Sequence, residues 1–138
     1  MTSANKARRM KRATADRLLA EAIGRIREVN TDPMYCYAIV RLVVFGSYAN
    51  SDRDDLGDLD LAIQVVPRYE KGDPHLEAAR DRYHGTDPYM RHYWPVEEVM
   101  RKVRNRNAYI SIHRIGDPEQ DGIIFADRTI EIDLEAVE

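Results

Sequence analysis

One cysteine, two phenylalanines and one tryptophan stand in a chain with no apolar stretch long enough to cross a bilayer. Cys36 has no second cysteine to pair with, so an internal disulfide is excluded. Its place in an apolar run fits a buried thiol in a reducing compartment, and a cytoplasmic protein is the expectation. The longest uncharged apolar run, Met34–Val40, spans seven residues, against about 20 for a membrane-spanning helix. The basic stretch MTSANKARRMKR has no apolar segment behind it, so no secretory signal is expected. Neither G-x-x-x-x-G-K-[ST] nor G-x-G-x-x-G occurs, which removes the P-loop and dinucleotide-binding classes.

What remains is 138 residues, 43% apolar and 33% charged, a composition for one globular domain over 1–138. That length buries roughly two-thirds of the surface of the unfolded chain. Residues 1–32 read as a basic, amphipathic N-terminal helix and 33–138 as the core. The net charge of −3 is unevenly spread. Lys6, Arg8, Arg9, Lys11, Arg12 and Arg17 face only Asp16 in residues 1–17, while residues 117–138 hold eight acids against Arg128. A solvated terminus is the plain reading; a nucleic-acid arm is the sharper one.

Leu18, Leu19, Ala22, Ile23, Ile26 and Val29 recur at helical spacing, predicting a helix over about 10–29. Pro33 ends it. Residues 35–45 and 58–66 read as strands, the first stopped by Gly46 and the two joined by a polar loop. A short helix fits 75–83. Pro95 is expected in the first turn of a further helix carrying Val96, Val99, Met100 and Val103 as its apolar stripe. Residues 108–115 form a third strand, and 122–125 and 129–134 suggest further extended pieces. The expected fold is α/β (α+β): a small mixed sheet of three to five strands, with helices on one side.

Phe45-Gly46-Ser47 is followed after ten residues by Asp58-Leu59-Asp60-Leu61. Side chains two apart on a strand share a face, so Asp58 and Asp60 project together and the leucines enter the core. Paired carboxylates call for a counter-charge, and hard oxygen ligands favour Mg²⁺ or Mn²⁺. Gly46 leaves room for a ligand beside the backbone. A helical turn from Tyr48 onward would make an anion site with the Ser47 hydroxyl. Anion and cation sites together suggest a metal–nucleoside triphosphate.

This segment resembles the DNA polymerase β superfamily of nucleotidyltransferases, whose pattern is apolar-Gly-Ser, a spacer, then Asp-apolar-Asp-apolar. Size and the stretch FGSYANSD…DLDL are most similar to the minimal stand-alone prokaryotic type. The likeness is tight over about 40–66 and loose over 96–115. It implies Mg²⁺-dependent transfer of a nucleotidyl group, usually AMP, from a nucleoside triphosphate to a protein or RNA hydroxyl. Gly46 and Ser47 would hold the β- and γ-phosphates, and Asp58 and Asp60 the metal. Family members carry a third carboxylate on a later strand, where this chain reads Ile110-Ser111-Ile112-His113. Three outcomes stay open: Glu131 or Asp133 supplies the acid, His113 substitutes as base or ligand, or the site binds without turnover. The last would suit a binding partner such as the antitoxin of a toxin–antitoxin pair, since small family members work alongside HEPN-type toxins.

Other features have plainer readings. Asp52, Asp54 and Asp55 suit a capped loop, and an EF-hand begun at Asp52 fails at Leu56 and Ile63. His75, His84 and His92 lack metal-ligand spacing. Tyr69, Tyr83, Tyr89, Tyr93 and Trp94 suit covering the sheet or meeting a partner, a homodimer included, more than stacking on a base. Arg101, Lys102, Arg104 and Arg106 are a solvated face or, with the basic arm, an RNA-binding surface.

Overall fold

In chain order, β1 (Met10–Lys11) leads into α1 (Arg12–Thr31), β2 (Tyr37–Phe45), the one-turn α2 (Ser47–Asn50), β3 (Asp55–Leu56) and β4 (Leu59–Pro67). Then follow α3 (Pro74–Asp81), α4 (Pro88–Arg104), β5 (Ile110–Arg114), α5 (Pro118–Ile124) and β6 (Ile130–Ile132). This is a computed structural model, and it describes residues 9–135. The first eight residues, which carry Lys6 and Arg8 of the basic arm, and the last three of the acidic end lie outside the described residues.

The main sheet has the strand order β5-β4-β2-β6, with β4 and β5 parallel and the other pairs antiparallel. Alternation decides what each face meets. Leu59, Leu61 and Ile63 of β4, Leu42 and Val44 of β2, and Ile110 of β5 point to one side. There they join Leu18, Ala22, Ile26 and Val29 of α1 and Val99 and Val103 of α4 in a single buried cluster. The intervening Val43, Phe45 and Ala62 point to the other side, where Ile124 of α5 covers them. The expected mixed sheet is present, but helices are not confined to one side: α5 caps part of the opposite face. Asp60, Ser111 and His113 share the parity of that opposite face.

Several expectations shift on the structure. Pro95 does not open a helix; it is buried within α4, which starts seven residues earlier. The start is set by Asp87-Pro88: the Asp87 carboxylate accepts the Tyr89 N–H at 3.0 Å, and Pro88 sits where a missing N–H costs nothing. Residues 122–125 are not extended, because Asp117-Pro118 starts α5 in the same way, with Asp117 accepting from Glu119 at 2.9 Å. The polar loop after Gly46 holds α2 and β3, the latter pairing antiparallel with β1. Asp58 lies just ahead of β4 rather than within it.

Cys36 is buried as expected, and burial pushes its thiol pKa up. Among the described residues no helix is long and apolar enough to cross a membrane.

Candidate functional site at the end of the central strands

β2 and β4 run antiparallel, so the end of one meets the start of the other: Phe45 stands opposite Asp60. The next residue, Gly46, has φ 74° and ψ −153°, backbone that only glycine adopts readily. A Cβ there would run into the Asp60 carboxylate. The glycine-serine turn and the acidic strand are therefore in contact, which the sequence pattern alone had only aligned.

α2 is fastened at three points. Ala49 and Asn50 N–H both donate to Gly46 O, at 3.1 and 3.0 Å. The Asn50 amide nitrogen donates to Gly46 O and to Arg128 O at 2.8 Å, and its oxygen accepts the Arg128 N–H at 2.9 Å. Arg12, from the first turn of α1, donates to Tyr48 O at 3.2 Å, Ser51 O at 2.6 Å and Arg53 O at 3.0 Å. One planar guanidinium thus spans the loop that leaves the Gly46 turn. An ammonium cannot reproduce that fork. Arg12→Ala is expected to cost about 2–3 kcal/mol, and Arg12→Lys to recover little of it; urea denaturation of both variants measures the difference.

Asp60 is half-buried and Asp58 exposed. Burial lifts the Asp60 carboxyl from its ordinary 3.8 to about 6, with His113 opposing the rise and Asp58 adding to it. Among the described residues acting on Asp60, only His113 favours its charged form.

On β5, Ser111 is the register neighbour of Asp60 and His113 that of Ala62. The Ser111 hydroxyl lies 3.0 Å from His113 Nε2, and His113 Nδ1 lies 2.9 Å from Gln120 Oε1 on α5. The imidazole also meets Phe45 edge-on, 5.1 Å between centroids. Gln120 escaped the sequence reading. Its signal was Asp117-Pro118, which starts a helix that folds back over β5.

The two later acids lie elsewhere. β6 joins the sheet beyond β2, with Glu131 opposite Val43. Two strand spacings, roughly 10 Å, therefore separate Glu131 from the line of β4. Arg41 grips Glu131 at 2.8 Å and holds its carboxyl below the usual range. Asp133 follows the strand on the side leading away from Phe45, and its carboxylate accepts the Glu135 N–H at 3.0 Å.

Other singled-out residues have structural work. Arg101 pairs with Glu97 at 3.0 Å, Lys102 with Glu28 at 2.8 Å, and Arg104 donates to Ile110 O at 3.0 Å. Much of the basic cluster is thus satisfied within the fold. His75 bonds Asp73 at 2.8 Å and stacks on Tyr69; His92 packs edge-on to Tyr93. Tyr89 and Tyr93 are exposed and lie against each other. An open groove of about 1280 Å³ runs past Met90, Trp94 and Arg101 to Asp58 and Ser111. Among the described residues, no group of three or more His, Cys, Asp or Glu is placed to hold a metal ion.

No protein-family model, curated protein or solved structure matches the chain. This end of the sheet holds Gly46, Asp60, Ser111 and His113, with Asp58 just ahead of β4 and Ser47 opening α2.

Proposed function

We propose that the chain is a Mg²⁺-dependent nucleotidyltransferase of the DNA polymerase β type, moving a nucleotidyl group, AMP first among the candidates, to a protein or RNA hydroxyl. The observation that carries this reading is the contact of the Gly46 turn with the Asp60 carboxylate. It brings a bare backbone against an acidic side chain, with Ser47 next in sequence, an arrangement that suits a polyphosphate and its cation.

A divalent cation would supply the counter-charge that the two aspartates lack. Asp58 and Asp60 act on one another, burial drives Asp60 toward neutrality, and among the described residues acting on it only His113 opposes that. Asp58 and Asp60 would hold Mg²⁺, which, when bound, offsets the charge of the phosphates. The protein's own part is then positioning and proton handling. Gly46 admits the phosphate chain close to the backbone, and Ser47 donates a hydrogen bond to it. His113, its Nδ1 proton engaged by Gln120 Oε1, presents Nε2 to take the acceptor's proton. His113 would thus do what a third carboxylate does elsewhere.

Incubation with α-labelled nucleoside triphosphates, Mg²⁺ and cell extract tests this. Transfer is expected, and Asp58→Ala plus Asp60→Ala is expected to cut it about 100-fold or more, since charge stabilisation of this kind is worth several kcal/mol. Transfer that survives the double substitution rules the site out.

A second reading draws support from Ser111 and His113 standing where an acid was looked for, and from Arg41 occupying Glu131. In it the domain binds triphosphate without turnover and works as a binding partner, such as an antitoxin. Calorimetric triphosphate binding without any transfer supports this reading; turnover on a defined acceptor excludes it.

A further inference from the structure

Among the hydroxyls in this part of the fold, Ser111 has the surroundings of a nucleophile. Its Oγ is 3.0 Å from His113 Nε2, and His113 Nδ1 is 2.9 Å from Gln120 Oε1. An amide oxygen can only accept, so Nδ1 is the donor to Gln120, and in the neutral ring that tautomer leaves Nε2 with its lone pair toward the serine. Phe45 packs edge-on to the ring and holds its plane. Nucleophile, base and orienting group are therefore assembled in one chain of hydrogen bonds. Ser111 is half-buried, so part of its surface is open to solvent.

Its position relative to the acids is the second, independent fact. Ser111 is the direct β5 neighbour of Asp60, and adjacent strands are about 4.8 Å apart. A triphosphate held by Gly46 and Ser47, with its cation on the two aspartates, would bring its α-phosphorus near this serine.

We infer that Ser111 is itself an acceptor: the chain attaches a nucleoside monophosphate to its own Ser111 hydroxyl, with His113 as base and Gln120 as positioning residue. This rests on the nucleotidyltransferase reading and names a substrate for that same site. Ser111 Oγ forms a bond to the α-phosphorus. The bond from that phosphorus to the oxygen bridging to the β-phosphate breaks, and pyrophosphate leaves with the electron pair. The hydroxyl proton passes to Nε2. The product is a serine phosphodiester on the strand beside Asp60, and because one hydroxyl takes one group each chain is modified once.

The experiment uses the purified full chain with each of the four α-labelled ribonucleoside triphosphates and Mg²⁺, without extract. Intact mass and peptide mapping locate the adduct. Labelling that plateaus at or below one group per chain, mapped to Ser111, is the expected result. Ser111→Ala should abolish it while leaving calorimetric triphosphate binding intact. His113→Gln, which keeps a polar side chain but cannot take the proton, should slow it about 100-fold. Label that maps elsewhere or persists in Ser111→Ala overturns the inference. So does an unlabelled wild-type chain that still transfers to extract, an outcome that leaves the proposed function standing. Absence of both transfer and triphosphate binding removes the nucleotidyltransferase reading, and this inference with it.

Discussion

Gly46→Ala is expected to abolish triphosphate binding and to lower stability by about 2–4 kcal/mol, the larger part from backbone strain. At φ 74° and ψ −153° a side chain meets its own backbone whatever surrounds it. The added methyl would also collide with the Asp60 carboxylate, a group on a central strand whose backbone cannot retreat. Gly72→Ala provides the comparison. Gly72 has φ 93° but nothing within 4 Å of the position a Cβ would take. It should cost about 1 kcal/mol from conformation alone and leave binding untouched. Urea denaturation and calorimetry on both variants separate the two contributions. Equal losses of stability with binding retained in Gly46→Ala would show that the turn and Asp60 do not form one site.

Asp60→Asn is expected to do two opposite things: eliminate transfer and raise stability in the absence of divalent cations. The direction follows from linkage. The folded-state carboxyl, near 6, binds its proton more tightly than the unfolded one at 3.8. Between those values the native state holds more protons than the unfolded state, so stability falls as pH rises through the window. Above about pH 6 the full penalty is present, at most about 3 kcal/mol and less once solvent screening at a half-buried group is allowed for. The asparagine variant carries no such penalty. Its melting temperature should exceed wild type by about 3–8 °C at pH 8 and match it at pH 3. Adding Mg²⁺ should stabilise the wild type at pH 8 and leave the variant unmoved. A variant less stable than wild type at pH 8 would mean that the ionised Asp60 is well served within the fold, and that no cation is needed there.

The parts of this fold that were legible in the sequence are those with strong periodic burial. α1 was within two residues at each end because Leu18, Ala22, Ile26 and Val29 define a single stripe. β2, β4 and β5 emerged from β-branched runs, and the Gly46–Asp60 juxtaposition from spacing plus alternation. Three things were hidden for physical reasons. The chain has four Asp-Pro steps, and in each the aspartate accepts the N–H two residues on: Met34, His75, Tyr89 and Glu119. Only the last three begin helices. At Asp32 the backbone N–H is already closing α1 on Glu28 and Val29, so the same local turn serves as an exit. A dipeptide cannot reveal which; the neighbouring elements decide. Pro95 misled because a proline in a helix interior is costly, and here α4 buries it. The order of strands was the third. Nothing in Ile130–Ile132 says that it pairs with β2 rather than β4, and that pairing alone takes Glu131 away from Asp60.

The two-way link between Asn50 and Arg128 couples distant stretches of chain, since one amide holds both the carbonyl of Gly46 and the backbone entering β6, the shortest strand of the main sheet. The sheet's outer margin is thereby tied to the bend through a single side chain, so Asn50→Ala would loosen both together.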